Sequence, residues 1–273
     1  MKFGRKGVDS GAVGGLVRAM LRRWILGWNL AAPVAAAGAG LATGSGLAAL
    51  GVLASAHWPW LYATLRPDCQ WWGPQVRGLS PGIGRVWLTI DDGPDPEDTP
   101  RLLDLLDAAG ARATFFVIGQ KAERHPELVR EMLRRGHQVG NHTMTHRAGC
   151  FWALPGGQVA AEIRRCQETV RAVTGGHECA WFRAPAGLRG HAVHPVLARA
   201  GLALAGWTVR GYDGVSADPA AVLGRLRAGL RDGAGVLMHE GRAARDGSRL
   251  APVVLAGLLE ALAEAGLGTA FPD

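Results

Sequence analysis

The sequence predicts an α/β protein in which a parallel sheet or barrel, built from strand–helix units, follows an apolar N-terminal membrane segment. Two observations support this prediction. From residue 86 onward, short segments rich in β-branched and aromatic residues alternate with longer segments of helical periodicity. Before them, residues 24–65 run for 42 positions without a Lys, Arg, Asp or Glu. Since one spanning helix needs roughly 20 apolar residues, this stretch is long enough for two.

The apolar stretch divides into two predicted spans, Trp24–Leu41 and Gly46–Leu65, around a segment rich in Gly, Ala, Ser and Thr. Arginines precede the first span and follow the second, whereas the loop between them has none. By the positive-inside rule both outer ends then lie in the cytoplasm. We therefore expect a two-helix hairpin in the inner membrane, with the folded domain on the cytoplasmic face. The alternative is a single signal anchor, or a signal peptide, with the domain outside.

The positive charge of the chain is concentrated at its beginning. The formal net charge is +7, and residues 1–23 alone contribute +5 of it. A basic tail beside an apolar stretch indicates membrane topology and argues against nucleic-acid binding. Four regions are expected: a basic tail (1–23), the membrane segment (24–66), a linker rich in Pro, Gly and Trp (67–85), and one folded domain (86–273).

The elements of the folded domain are bounded by ordinary start and stop signals. Pro100 and Pro126 suit the first turn of a helix, and Gly110 and Gly136 suit positions just after one. Seven strands are predicted at Val86–Asp91, Ala113–Ile118, Gln138–Asn141, Trp181–Ala184, Ala203–Val209, Val236–His239 and Gly268–Phe271. Six helices are predicted at Thr99–Ala109, Pro126–Arg135, Gln158–Val173, His194–Ala200, Ala220–Arg231 and Pro252–Ala265.

The first strand ends in two adjacent acids, Asp91 and Asp92, followed by a Gly-Pro breaker. Chemistry in α/β proteins is usually found at the carboxyl ends of strands. Neighbouring residues on a strand point to opposite sides, but where the backbone turns both carboxylates can face one cavity. Two such acids repel unless they meet a cation or share a proton. The competing interpretation is a solvated Asp-Asp-Gly-Pro turn.

A second motif, Gly136 to His146, contains two histidines four residues apart, His142 and His146. At helical spacing their side chains would lie on one face and could reach one metal ion. A carboxylate would supply a third ligand, which leaves a position open for water, as in catalytic zinc sites. Together with the paired acids, this spacing predicts a metal centre.

Four motifs in order resemble those of the polysaccharide deacetylase family, the NodB homology domain of carbohydrate esterase family 4. They are Thr89-Ile90-Asp91-Asp92-Gly93, His142-Thr143-Met144-Thr145-His146, Arg183-Ala184-Pro185-Ala186-Gly187 and Val236-Leu237-Met238-His239. The match spans residues 85 to 240. The resemblance implies a deformed (β/α)7-type barrel and hydrolysis of an N-acyl group from an amino sugar.

The resemblance also implies the roles of five residues. Asp92, His142 and His146 match the family's metal ligands. Asp91 matches the general base that takes a proton from the attacking water. His239 matches the general acid that protonates the departing nitrogen. Zinc is the first expectation for a His₂-carboxylate set, with Co²⁺ or Mn²⁺ as alternatives.

Further residues of the expected site surround these five. The resemblance implies that Arg183 tethers Asp91 and that Asp213 orients His239. Pro185 and Ala186 would line the substrate pocket, with the backbone amide of Ala186 helping to bind the oxyanion. The ring of Trp207 would supply an apolar wall for the acyl methyl group, although a core tryptophan is an equal alternative.

Three positions depart from the family pattern, and they bear on the substrate rather than the chemistry. Arg210 stands where members often have an Asp, Gly214 where a Trp is usual, and Ala186 where many have a Tyr. The expected substrate is an N-acetyl or N-formyl amino sugar in a polysaccharide, an oligosaccharide or a lipid-linked saccharide. The rival hypothesis is a non-catalytic, membrane-anchored saccharide-binding protein of the same fold. The oligomeric state is not predicted.

Overall fold

The computed structural model describes residues 10–273, and side chains from residue 14 onward. Residues 1–9 of the predicted basic tail lie outside the described residues, and the rest of the tail forms the beginning of the first helix. In chain order the helices and strands are α1 (Ser10–Thr43), α2 (Gly46–Leu65), β1 (Arg85–Gly93), α3 (Asp98–Ala108), β2 (Thr114–Val117), α4 (Gly119–Arg124), α5 (Pro126–Arg134), β3 (Gln138–Asn141), α6 (Gly156–Thr174), β4 (Trp181–Phe182), α7 (Val193–Ala200), β5 (Ala203–Leu204), β6 (Val209–Arg210), α8 (Pro219–Gly229), β7 (Gly235–His239), α9 (Leu250–Glu264) and β8 (Gly268–Thr269).

The strands form one parallel sheet in the order β5-β4-β3-β2-β1-β7-β6, with β8 also paired to β1. The sheet curves into a half-barrel, which confirms the predicted fold class. β1 is central, and its residues Val86, Trp87, Leu88 and Ile90 are fully buried. Such a continuous apolar run is typical of a strand covered on both faces.

The main hydrophobic core lies between the sheet and the helices that cover it. The leucine stripe of α3, Leu102, Leu103 and Leu106, is fully buried, as expected for ordinary packing. Helix starts and stops also follow the predicted signals: Pro126 opens α5, and Gly136 follows its end in the left-handed conformation. These elements hold the strand ends in place.

The structure differs from the predicted elements at two places. The single strand predicted at Ala203–Val209 is two short strands, because β5 pairs with β4 at one edge of the sheet and β6 pairs with β7 at the other. At Gly206 the chain passes against Val76, to which it donates a hydrogen bond. A Cβ there would lie 2.8 Å from Gln75 Oε1, so only glycine fits without a shift. The short helix α4 was not predicted.

Helices α1 and α2 form an antiparallel pair joined by a tight turn at Gly44 and Ser45. The side chain of Asn29 on α1 donates a hydrogen bond to the carbonyl of Ala56 on α2, at 2.8 Å. One helix, over Gly14–Thr43, is long and apolar enough to cross a membrane. Among residues 10–273 the two helices are paired and only the first meets that criterion, so the membrane hairpin stays a prediction.

The base of the helix pair packs directly on the folded domain. Ile25 of α1 and Ala63 of α2 form a small buried cluster with Cys69 and Trp72. The Trp72 indole donates to Thr64 Oγ1 at 3.2 Å. The predicted linker packs on the helix pair, and its residue Val76 pairs with Ala205 of the domain. The predicted domain bounds stay predictions.

Candidate active site

Both acids at the end of β1 face the same cavity because the strand contains a bulge. The pairing register of β1 with β2 shifts between Asp91 and Gly93. Asp92 has a φ of 72°, in the left-handed region that non-glycine residues rarely adopt. This turn brings its carboxylate round to the side of Asp91, against the alternation of a regular strand. Asp91 and Asp92 both line one cavity of about 360 Å³.

Arg183, which follows β4, is fully buried and forms an ion pair with Asp91. Its Nη1 lies 2.7 Å from Asp91 Oδ1 and 2.8 Å from Thr89 Oγ1, and Nη2 donates to the carbonyl of Gly206. The guanidinium also stacks 4.2 Å above the ring of Phe116. Burial lowers the pKa of Arg183, while the charge of Asp91 acts in the opposite direction. One oxygen of Asp91 is thereby fixed, which agrees with the expected tether.

Asp92, His142 and His146 come together as the sequence predicted. Asp92 Oδ1 lies 3.4 Å from His142 Nε2 and 3.1 Å from His146 Nε2. All three groups could contribute ligand atoms within 4.8 Å of one another. Asp92 Oδ1 is buried and accepts no hydrogen bond from the described part of the chain. An unpartnered carboxylate oxygen facing two imidazole nitrogens fits a divalent cation.

The protonation states of these groups also suit a metal ion. Burial, and next the charge of His142, lowers the pKa of His146 to about 4, so the imidazole is neutral at physiological pH. Burial alone would raise the pKa of Asp92, but interactions with His142 and then His146 outweigh it and hold that pKa well below its usual range. Nδ1 of His142 donates to the carbonyl of Arg183 at 2.8 Å, which leaves Nε2 free to bind.

The two histidines do not lie on a helix, so the predicted helical spacing is wrong. His142 follows β3, and His146 lies in an irregular loop where Thr143 and His146 have φ values of 69° and 51°. The His146 amide donates to Thr143 Oγ1 at 3.0 Å, and this bond folds the loop back on itself. Left-handed backbone, rather than a helical turn, brings the imidazoles to a ring separation of 4.7 Å.

Glu162 of α6 fixes this loop and was not singled out from the sequence. Its carboxylate accepts bonds from the amide and the hydroxyl of Thr145, at 2.9 and 2.8 Å, and is almost fully buried. The sequence signal that could have identified Glu162 is its position as an acid on the otherwise apolar side of α6, beside Val159 and Ile163. Lys121 is a second such residue, since its ammonium donates to the carbonyl of Asp92 at 2.6 Å.

His239 ends β7 and is the direct strand neighbour of Asp91. Its Nδ1 lies 2.9 Å from Asp213 Oδ1, and its backbone amide donates to the other oxygen of Asp213. Burial lowers the pKa of His239, but the bond to Asp213 and the charges of Asp213, Asp91 and Asp92 outweigh it and raise the pKa to about 9. His239 is therefore protonated near neutral pH, as a proton donor must be.

The predicted pocket residues divide into two groups. Ala186 and Trp207 line the cavity, whereas Pro185 is buried behind it in the short turn that presents Ala186. Trp207 packs on Gly187, where a Cβ would lie 2.3 Å from the indole. Gly214 also lines the cavity, and a Cβ there would lie 3.6 Å from the His239 ring. A larger side chain at position 214 would therefore narrow the space in front of His239.

Glu240, next to His239, is a buried acid that the sequence did not indicate. Burial raises its pKa to about 8, so it is protonated at neutral pH. It is hydrogen-bonded to Thr99, and its Oε1 packs so closely on Gly93 that a Cβ at position 93 would lie 1.8 Å away.

Asp95, which follows the first strand closely, is not a freely solvated acid, because Arg249 lies 2.7 Å from it and 2.6 Å from the buried Asp98.

Known proteins resemble this chain in sequence and in fold. The family model for polysaccharide deacetylase matches residues 80–205. A chitooligosaccharide deacetylase of Sinorhizobium fredii is 36% identical over 160 residues, which cover 59% of this chain and 74% of the relative. The chain belongs to the polysaccharide deacetylase family. Members of this family are hydrolases that act on N-acetyl amino sugars.

Two further relatives extend the comparison. A peptidoglycan-N-acetylglucosamine deacetylase of Bacillus cereus is 54% identical over 61 residues, 22% of this chain and 29% of that protein. A family 4 carbohydrate esterase from Streptomyces lividans, solved in complex with acetate, superposes with a TM-score of 0.61 at 32% identity. That superposition covers 69% of this chain and 93% of the esterase. The fold of this polysaccharide deacetylase domain is therefore shared with an enzyme of carbohydrate esterase family 4.

Proposed function

We propose that the protein is a metal-dependent hydrolase that removes an N-acetyl group from an amino sugar, with Asp91 as the base and His239 as the acid. The observation that supports this best is the presence of two hydrogen-bonded pairs, Asp91 with Arg183 and His239 with Asp213, at one cavity. Asp91 is held by Arg183 at 2.7 Å, and His239 is held by Asp213 at 2.9 Å. Asp92, His142 and His146 line the same cavity.

Asp91 takes a proton from the attacking water, since Arg183 occupies one carboxylate oxygen and leaves the other for proton transfer. His239 holds a proton on Nε2 and gives it to the departing nitrogen, while Asp213 fixes the tautomer through Nδ1. Asp91 and His239 are Cα partners on adjacent strands, so acid and base have a fixed separation. The backbone amide of Ala186 and the Trp207 ring position the acyl group.

Asp92, His142 and His146 would hold the divalent ion, zinc first and cobalt or manganese as alternatives. When bound, such an ion supplies Lewis-acid chemistry, which polarises the amide carbonyl and lowers the pKa of water. The protein contributes two neutral imidazoles and one carboxylate, and the Arg183 carbonyl and Glu162 orient the two histidines. The substrate class proposed is an N-acetyl, or alternatively N-formyl, amino sugar in an oligosaccharide, polysaccharide or lipid-linked form.

Release of acetate from a chitooligosaccharide by the purified protein tests this function. We expect acetate release with added Zn²⁺, its loss in a chelator, its recovery when the metal is restored, and its loss in Asp91→Asn. Full activity of Asp91→Asn would contradict the role of Asp91. Saccharide binding without acetate release under any metal would instead support the non-catalytic alternative.

We also propose that α1 and α2 anchor the protein in the inner membrane as a hairpin, with the domain on the cytoplasmic face. Many large apolar side chains of the pair are exposed, including Leu30, Leu41 and Leu47, each at 80% or more. From Ile25, at the base, to Thr43 the helix is about 28 Å long at 1.5 Å per residue, close to the thickness of a bilayer core. Reporters fused at the C-terminus test the topology, since an external domain would contradict the hairpin.

A further inference from the structure

A second cavity of about 600 Å³ lies beside the catalytic one. Three residues, Trp207, Arg210 and Tyr212, line both cavities and form the wall between them. Only these three side chains would therefore separate a group bound in the second cavity from an acyl group bound in the first.

The second cavity is strongly basic. Its lining includes four arginines, Arg66, Arg77, Arg210 and Arg225, and a single acid, Asp68. We call it the arginine cavity. Arg66 forms an exposed pair with Asp68 at 3.3 Å. Across residues 14–273, no carboxylate lies within 4.0 Å of a nitrogen of the other three guanidinium groups. Four cations that share one acid raise the local concentration of an anionic ligand.

The three arginines without a carboxylate partner are held by a few contacts that leave several of their N–H donors available. Arg77 Nε donates to the carbonyl of Trp207 at 3.0 Å, and Arg225 Nη1 donates to that of Gly211 at 3.1 Å. Arg210 stacks 4.2 Å above the ring of Tyr212. Each guanidinium has five N–H donors in a planar fork, which matches phosphate oxygens. Pre-positioned forks lose less freedom on binding than free side chains.

The arginine cavity also lies at the base of the proposed membrane anchor. Leu65 is the last residue of α2, and both Leu65 and Arg66 line the cavity. A membrane-bound substrate would enter from this side, with its head group at the arginines and its sugar toward the catalytic cavity.

We infer that the arginine cavity binds a phosphate or diphosphate group joined to the N-acyl amino sugar. This inference rests on the proposed hydrolase function, which it makes more specific. A phosphate-linked sugar can come from a polyprenyl lipid or from a soluble nucleotide. The two share the anion and differ in what lies beyond it, so substrates of both kinds distinguish the source.

The experiment uses the full-length protein in lipid nanodiscs and three N-acetylglucosamine substrates. These are a neutral chitooligosaccharide, a nucleoside diphosphate sugar and a polyprenyl diphosphate sugar. We expect kcat/KM for at least one phosphorylated substrate to exceed that for the neutral one by about tenfold or more, the scale of charge-assisted hydrogen bonds. The double variant Arg66→Gln/Arg225→Gln should reduce that ratio about tenfold. Neither residue lines the catalytic cavity.

A matched control is Arg164→Gln/Arg199→Gln, which removes two exposed arginines outside both cavities and should keep the wild-type ratio. A preference for the lipid substrate alone supports the inference and identifies a membrane source, and activity on both phosphorylated substrates supports a site for the anion itself. Equal use of all three substrates overturns the inference and leaves the hydrolase function intact.

Two other outcomes count against it. If the double variant keeps its substrate preference but binds anionic vesicles more weakly, the arginines contact membrane head groups, and the substrate assignment is overturned. If none of the three substrates releases acetate, with metal supplied, the hydrolase proposal fails together with this inference.

Discussion

The two sides of the catalytic cavity are built differently. On one side Asp91 and His239 lie on adjacent strands of the central sheet, and each is held by a buried partner, Arg183 or Asp213. On the other side His142 and His146 lie in or beside a loop with left-handed residues. The strand side has its geometry set by the sheet, whereas the loop side depends on a few side-chain bonds. The two sides should therefore respond differently to mutation.

The largest expected effect is on the strand side. Asp91→Asn should lower kcat by about 10²–10⁴-fold, the usual contribution of a general base. Metal content should change little, because Asp91 is bound to Arg183 and lies outside the proposed ligand set. Asp92→Asn, the matched control, should lose both metal and activity. Turnover and metal content, the latter by mass spectrometry, are measured for both variants. Loss of metal in Asp91→Asn would contradict the distinction between the strand side and the loop side.

A smaller effect is expected when the loop side loses its support. Glu162→Gln should weaken metal binding by about 10–100-fold, the usual cost of removing a group that orients a ligand. Glu168→Gln, on the exposed face of the same helix, is the control and should bind metal normally. Metal titration of the apoprotein measures both affinities. Unchanged affinity in Glu162→Gln would mean that the loop holds its shape without this acid.

On the strand side, the pH profile of kcat/KM should also show the effect of Asp213 on His239. Because Asp213 and the neighbouring acids raise the pKa of His239 to about 9, kcat/KM should fall as the pH rises through that region. The same raised pKa means that His239 stabilises the fold fully below about pH 6.5, and that this contribution is lost as the pH rises toward 9. Asp213→Asn should move the basic limb about one pH unit lower or more. If the basic limb of the Asp213→Asn profile stays at the wild-type pH, the pairing of Asp213 with His239 is contradicted.

The smallest effect is expected at Glu240, whose carboxyl group packs against Gly93. Its pKa is raised from 4.5 to about 8, so the wild-type fold loses stability as the pH rises from 4.5 through 8. Glu240→Gln mimics the protonated acid and should keep or increase stability at pH 7, with a flatter pH dependence. Thermal unfolding at several pH values measures this. A large loss of stability at pH 7 would show that the acid is ionised in the fold.

The strand side was well predicted from the sequence, and the loop side only in part. An apolar run that ends in Asp91 and Asp92 indicates a buried strand with acids at its end, and the structure places them there. The bulge at Asp92 could not be predicted, because its register shift depends on pairing with β2. The positions of Arg183 and His239 followed from motifs that also end strands.

The loop side resisted prediction because its shape is set by distant contacts. The four-residue spacing of His142 and His146 suggested a helix, but left-handed residues and Glu162 produce the same proximity by another route. The division of Ala203–Val209 into two strands has a similar cause, since the two halves pair at opposite edges of the sheet. Local propensity does not encode either arrangement.

The buried Arg189 fixes the junction between the helix pair and the domain. Its guanidinium donates to the carbonyls of Pro67 and Cys69, and its backbone amide donates to that of Thr64, near the end of α2. These bonds hold the helix pair in a fixed orientation on the domain. With α1 and α2 anchored as proposed, this junction would fix the distance between the catalytic cavity and the membrane surface.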